Sequence, residues 1–447
     1  MSGFPISEAT PVAFSDPLPA SCDLVIVGGG IIGICAAIFA ADRGLKVVVC
    51  EKGRVAGEQS SRNWGWIRQQ GRDLGELPIA MESIRLWNAF QAELGRDVMG
   101  LRWSGILKAS RTEAHLARSE AWLRLARPFG VDTRILTRTE MQDMLPGAAA
   151  PFAGGLFTPS DGRAEPWVTV PALARLAQAR GVVIREGCAV RRLELAAGQI
   201  AGVETERGRI GAAQVIVAAG SWSRLFLAQH GVKIPQLSVL ASVAATEPVA
   251  GLPDLAFSDG DYAIRPRADG GLTLGPGSEH DFFIGPDAFA SFFPYLPTLR
   301  RDFRSTNFRP WPPRGYPDGW TTPRRWQGES PFEAMRILAP RPNMATLGRA
   351  HAAFRKAFPA AGPLRVRTAW AGMIDTLPDV VPVIDRVAAL PGLILATGMA
   401  GHGFGIGPGV GRVLADMATG QPPGHDLSRF RFVRFAEGGP PDFGAAL

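Results

Sequence analysis

Three stretches of this chain hold residues whose types and spacing could do chemistry. In the first, Gly28, Gly30 and Gly33 fall at G-x-G-x-x-G spacing and Glu51 follows, roughly 20 residues on, where a dinucleotide fingerprint wants an acid. Gly28 allows a tight strand-to-helix turn, Gly30 lets backbone approach a pyrophosphate, and Gly33 lets helix pack on strand. Glu51 is placed to accept hydrogen bonds from a ribose. The second stretch, 56–73, mixes small, aromatic and cationic residues around Trp64-Gly65-Trp66-Ile67-Arg68. It reads either as a packed connector or as a segment crossing the bound group, with Gly65 permitting close approach and Arg68 facing the reaction centre. The third is Gly401-His402-Gly403-Phe404-Gly405-Ile406-Gly407, a second glycine-rich run between strand and helix. The four cysteines form no C-x-x-C pair and no His/Cys cluster has ligand spacing, so no metal is expected.

These residues need elements to position them. Apolar runs predict a strand over 24–27, a helix over 31–42 stopped by Gly44, and a strand over 46–50. A membrane span over 24–41 is the alternative, but three adjacent glycines near its start fit a turn better. Helical spacing recurs over 77–94, 113–125, 138–145 and 168–180, the last with Pro171 near its first turn. Strands are predicted over 103–110, 182–186, 189–195, 200–205 and 214–219, the last ending in Gly220-Ser221-Trp222. Those over 239–246, 262–266 and 271–274 alternate and read as a second, antiparallel domain. Residues 281–335 form a long insertion rich in Phe, Pro, Trp and Arg, read as a lid or interface or as a surface wrap. Strands over 364–371 and 392–397 and a helix over 410–418 close the chain. If both glycine-rich junctions serve one nucleotide, strands from opposite ends of the chain share a sheet.

The 447 residues suffice for two domains, and 46% hydrophobic with 20% charged residues is a soluble globular composition. The net charge of +7 rests on arginine, with only five lysines, so it makes no case for nucleic acid. Residues 1–20 lack the charged start and apolar block of a signal peptide and read as an irregular arm. A cytoplasmic protein without a transmembrane segment is expected; the arginines of the insertion leave peripheral membrane contact open.

In this order the motifs resemble the D-amino acid oxidase superfamily of FAD-dependent oxidoreductases, which includes glycine oxidase, monomeric sarcosine oxidase and bacterial D-amino acid dehydrogenases. The matches are Gly28 to Gly33 with Glu51, Asp161-Gly162 leading to Pro166, Val190, Ala219-Gly220-Ser221-Trp222, Tyr262 with Arg265-Pro266, Pro378-Asp379 with Pro382, and Gly401-His402-Gly403-Phe404. The resemblance implies FAD rather than NAD. It implies an α/β fold, with a discontinuous Rossmann-type FAD-binding domain and a substrate domain on a mixed, largely antiparallel sheet. The expected division is an arm at 1–20, an FAD domain from 21–80, 150–226 and 364–432, a substrate domain from 81–149 and 227–363, and a tail at 433–447. The implied reaction oxidises the C–N bond of an amine or of an N-substituted or D-amino acid by hydride transfer, the imine then hydrolysing. Oxygen, a quinone or another electron carrier would take the electrons.

By the same resemblance Arg68 and His402 are the catalytic candidates. The FAD contacts would come from Gly28, Gly30, Ile31, Ile32, Gly33, Glu51, Lys52, Ser60, Ser61, Arg62, Gly65, Trp66, Val190, Ala219, Gly220, Trp222, Gly372, Gly401, His402, Gly403, Phe404 and Gly405. A helix beginning near Gly407 would aim its positive end at the flavin's pyrimidine edge. Trp64, Tyr262, Arg265, Trp320, Trp370, Ile374 and Asp375 are the pocket candidates. Three departures stand out. Gly405 replaces a lysine and Ile374 an arginine that bind substrate carboxylate in relatives. Gly372 replaces a flavin-tethering cysteine, so FAD is expected to be non-covalent. Arg68, Arg265 or Arg336 could substitute as anchor; Asp375 could meet a cationic amine or simply cap its loop. The alternatives are a nicotinamide-dependent dehydrogenase, which leaves the C-terminal glycine run unexplained, and a subunit of an opine- or sarcosine-type dehydrogenase.

Overall fold

The computed structural model describes residues 6–149, 151–437 and 441–446. Parts of the expected arm (1–5) and tail (438–440 and 447) lie outside them. The first body is a six-stranded sheet in the order Val383–Arg386, Leu393–Thr397, Gln214–Val217, Leu24–Val27, Val47–Cys50, Val183–Arg185. Its neighbours are parallel except the first pair, which is antiparallel. Strands from both ends of the chain meet in it, as Val215 pairs with Leu393.

The central strands are apolar throughout because both faces are covered. Leu24 and Ile26 pack with the helices Ile31–Asp42, Pro166–Ala179 and Gly403–Thr419 on one face. Val25 and Val27 pack on the other with the three-stranded sheet Gly208–Gly211, Gln199–Thr205, Val190–Ala196. The helix Ile31–Asp42 is apolar nearly all round for the same reason. The arm lies along this body: Phe14 is buried, and the Ala13 and Phe14 N–H groups donate to Glu186.

The second body is a ten-stranded, largely antiparallel sheet. Its backbone is the long pair Leu237–Thr246 and Val366–Thr376. Two segments assigned to the FAD domain from sequence, Gly154–Thr158 and Val366–Thr376, hydrogen-bond in this sheet instead, so the larger sheet claims both. The C-terminal helix starts at Gly403, well before 410. Its alternate glycines are packing positions, not a loop: a Cβ at Gly407 would lie 2.5 Å from Ile31 Cγ1, and one at Gly411 2.5 Å from Cys35 Cβ. The insertion carries the strands His280–Phe283 and Thr306–Arg309 and the helices Pro286–Ala290 and Phe292–Asp302. Among the described residues no helix is long and apolar enough to cross a membrane, and no group of three His, Cys, Asp or Glu could hold a metal.

Candidate functional site

A cleft opens where the parallel strands end. Leu24–Val27 runs into Gly28, whose φ of +112° is open to glycine and whose added Cβ would lie 2.5 Å from the Ala218 carbonyl oxygen. A Cβ at Gly33 would strike the Gly28 carbonyl, so only glycine lets the helix cross this strand end. Gly30 faces Ser60, whose Oγ accepts from the Ile31 N–H at 2.9 Å. The remaining first-turn N–H groups have no acceptor within the helix, which leaves a positive end facing the cleft.

Glu51 ends the next strand. Its carboxylate accepts from the Gly29 and Gly53 N–H groups, each at 2.7 Å, and retains lone pairs for two hydroxyls. Burial pushes its pKa up to about 7, against the lowering pull of Lys52 and of those two N–H groups. A ribose bound here would be held best by the ionised carboxylate, and FAD affinity should then fall as pH drops through about 7. A loss of about tenfold between pH 8 and pH 6 is expected in titrations of the apoprotein, and Glu51→Gln should flatten the profile.

At the far end, Asp375 Oδ2 accepts from the Gly398 N–H at 2.6 Å and the Met399 N–H at 3.3 Å, with Thr397 Oγ1 also within 3.3 Å. It therefore caps its loop. The loop delivers Gly401, Gly403 and Phe404 to the cleft, with the first turn of Gly403–Thr419 presenting free N–H groups. His402 is the cap residue of that helix. Its Nδ1 lies 2.9 Å from Glu76 Oε2. Burial lowers the His402 pKa, with Arg72 adding to the effect and Glu76 opposing it. Burial would raise Glu76, but His402, Arg72 and Arg68 outweigh it and hold the carboxyl below the usual range. A neutral imidazole thus donates Nδ1–H to an ionised carboxylate, which accepts only.

The strand Trp66–Ile67 pairs with Gly162–Arg163 and carries the chain to Arg68. The Arg68 guanidinium lies 5.8 Å from the Trp66 ring and makes no ion pair or side-chain hydrogen bond among the described residues. Burial lowers its pKa while Asp161 and Glu76 pull it back. Both acids are otherwise engaged, Asp161 by the Gln69 N–H at 2.9 Å and Glu76 by His402. Beside Arg68 stands Lys108, a residue that sequence reasoning missed. Burial pushes it down to about 8, and the charges of Arg68 and Arg118 add to this. Lysine is scarce in this chain, and one inside an apolar strand was the available signal.

The cleft brings together Gly28, Gly30, Ile31, Ile32, Glu51, Lys52, Ser60, Val190, Ala219, Gly220, Trp222, Asp375, Gly401, Gly403 and Phe404 from the sequence candidates. Glu58, Gln59 and Met373 line it too and were not anticipated. Gly33, Ser61, Gly65, Trp66, Arg68, His402 and Gly405 are not among the residues that line it. Arg62 is a structural tie, donating to the carbonyls of Gly57, Ala371 and Ile6. Gly372 faces the Gln59 side chain.

Several pocket candidates lie elsewhere. Tyr262 is buried between Phe257 and Phe354. Arg265 is sealed in a two-pronged pair with Glu165, at 2.8 and 3.0 Å, and Arg336 is paired with Glu206, so neither is free to anchor substrate. Trp370 is core, donating to the Arg62 carbonyl at 3.0 Å, and Trp320 is on the outer surface. Trp64 and Ile374 instead line a separate apolar cavity of about 590 Å³, with Leu237, Val239, Phe282, Tyr295 and Leu299. Successive residues of a strand face opposite ways: Met373 and Asp375 front the cleft, Ile374 the cavity. The two spaces lie on opposite sides of the loop 398–401, where Met399 and Gly401 line one and Ala400 the other.

The cleft fits FAD. It offers a glycine cradle without side chains, a half-buried acid with spare lone pairs, two helix N-termini, and a buried Gln59 Oε1 with no hydrogen-bond partner. Comparison with known proteins agrees. The sarcosine oxidase subunit beta of Rhizobium meliloti is 27% identical over 95% of this chain and 90% of its own. A D-amino acid dehydrogenase of Bradyrhizobium diazoefficiens is 25% identical over 83% of this chain and 79% of its own. The structure of L-amino acid deaminase from Proteus myxofaciens in complex with anthranilate superposes with a TM-score of 0.90 at 31% identity, covering 96% of this chain and 97% of that one. The family model of FAD dependent oxidoreductases of the DAO type matches residues 23–417. The chain belongs to that family, and FAD is its cofactor.

Proposed function

We propose that this enzyme oxidises the α C–N bond of an amino acid with a large apolar side chain. The observation that carries this reading is the cavity of about 590 Å³ that adjoins the cofactor cleft across the loop 398–401. Its apolar lining gains free energy from burying hydrocarbon, about 25 cal/mol per Å², and offers little to glycine or sarcosine. The superposing L-amino acid deaminase makes L-amino acids the first substrates to try; N-methyl amino acids come second, from the sarcosine oxidase relative.

FAD, when bound, supplies the two-electron acceptor. Glu51 would hold the adenosine ribose and the N-terminus of Ile31–Asp42 the pyrophosphate, with Val190 on the adenine side. The N-terminus of Gly403–Thr419 would face the flavin's pyrimidine edge, where its dipole would favour negative charge. The His402–Glu76 pair positions that N-terminus. Arg68 and Lys108 provide uncompensated positive charge for the substrate carboxylate, in place of the two anchors replaced by Gly405 and Ile374. Gly372 offers no tether, so acid precipitation should leave the flavin in the supernatant. Oxygen, a quinone or another carrier accepts the electrons.

Product analysis tests the reaction. L-Phenylalanine should yield phenylpyruvate and ammonia in equal amounts, with glycine at least about a hundredfold poorer in kcat/KM. Equal rates with glycine would remove the role given to the cavity. Turnover by the lone chain would also exclude dependence on a second subunit.

A further inference from the structure

The face formed by residues 289–325 is unlike the rest of the surface. Of the eight exposed aromatic side chains among the described residues, seven lie between Phe289 and Trp320. They protrude far: Phe293 is 81% exposed, Trp311 69%, Phe289 64% and Phe303 61%. They pack mainly on one another, Phe289 and Trp311 on Trp320 and Phe303 on Phe308. The helix Phe292–Asp302 has no fully buried residue. A lone patch of this kind marks an interaction surface.

Charge identifies the partner. Arg300, Arg304, Arg314 and Arg325 are exposed and form no ion pair among the described residues. The acids of the segment are already matched: Asp281 with Arg309, Asp287 with Arg224 and Arg324, Asp302 with Arg301, Asp318 with Arg324 and Glu333 with Arg191. Among the described residues Glu329 alone of these acids stands unmatched. The uncompensated charge of the face is therefore positive and interleaved with Phe and Trp. Interfacial membrane contacts have this composition: aromatic rings sit at the headgroup level and guanidiniums meet anionic lipid. A second observation points the same way. The apolar cavity opens at this face, since the exposed Phe289, Phe292 and Phe308 line it.

We propose that residues 289–325 dock the enzyme on an anionic lipid bilayer, with the mouth of its apolar cavity turned to the membrane. The test is co-sedimentation of the holoenzyme with vesicles of phosphatidylcholine alone or mixed with phosphatidylglycerol. Partitioning should be at least about tenfold stronger on the anionic vesicles and should weaken with salt. A Phe293→Ser, Phe303→Ser, Trp311→Ser triple variant changes protruding side chains outside the cavity lining. It should keep its flavin spectrum and its activity with a soluble acceptor and lose at least about tenfold in vesicle binding. Absence of partitioning, or partitioning unchanged in the triple variant, would overturn the proposal. So would a parent that runs as a dimer and a triple variant that runs as a monomer, neither binding vesicles, because the face would then serve a second copy of the chain.

Discussion

Arg68→Ala is expected to bind FAD as the parent does and to be reduced by substrate about a hundredfold more slowly or worse, a loss of about 2.7 kcal/mol in the transition state. Arg68 is a half-buried cation without a paired acid among the described residues. Glu76 is held by His402 at 2.9 Å and Asp161 by the Gln69 N–H at 2.9 Å, and the Trp66 ring stands 5.8 Å away. A guanidinium so placed has lost part of its water and is free to meet a substrate anion. Lys108 adds a second charge nearby, so Lys108→Met should raise KM more than it lowers kcat. Stopped-flow reduction separates the two. A purely structural Arg68 would show itself as a lowered melting temperature with normal reduction, and the role given to it would fail.

The second large effect is expected at Gly30. Gly30→Val should fold, since its φ of −75° suits any residue, yet bind FAD at least about a hundredfold more weakly. A Cβ there would stand 2.9 Å from Ser60 Oγ, and the branched side chain would fill the space in front of the Ile31–Asp42 N-terminus. Circular dichroism should match the parent while the purified protein is colourless. A yellow Gly30→Val variant with parental affinity would move the pyrophosphate elsewhere.

Much of this was legible in the sequence where the signals are local. Leu24–Val27, Ile31–Asp42, Leu77–Leu94 and Tyr262–Pro266 follow from periodicity and flanking breakers. The start of Gly403–Thr419 was not legible, because alternate glycines read as loop. They are tolerated in a helix here because its neighbours Ile31, Cys35 and Ser83 leave no room for a Cβ, a tertiary demand that overrides propensity. Helix Met344–Ala357 escaped notice behind the aperiodic insertion. Arg265 looked like a free anchor because its partner Glu165 is 100 residues away. The apolar cavity is assembled from segments around 64, 237–242, 276–308 and 374–400, so no local pattern announces it. Asp375 was ambiguous until its loop closed on it.

The central assignment is tested most directly by anaerobic mixing of the FAD-loaded enzyme with L-phenylalanine or L-leucine while the oxidised flavin absorbance is followed. Bleaching at saturating amino acid, with little or none by glycine, is the expected result. A flavin that stays oxidised with apolar amino acids but bleaches with glycine or sarcosine, or with no amine at all, would contradict it.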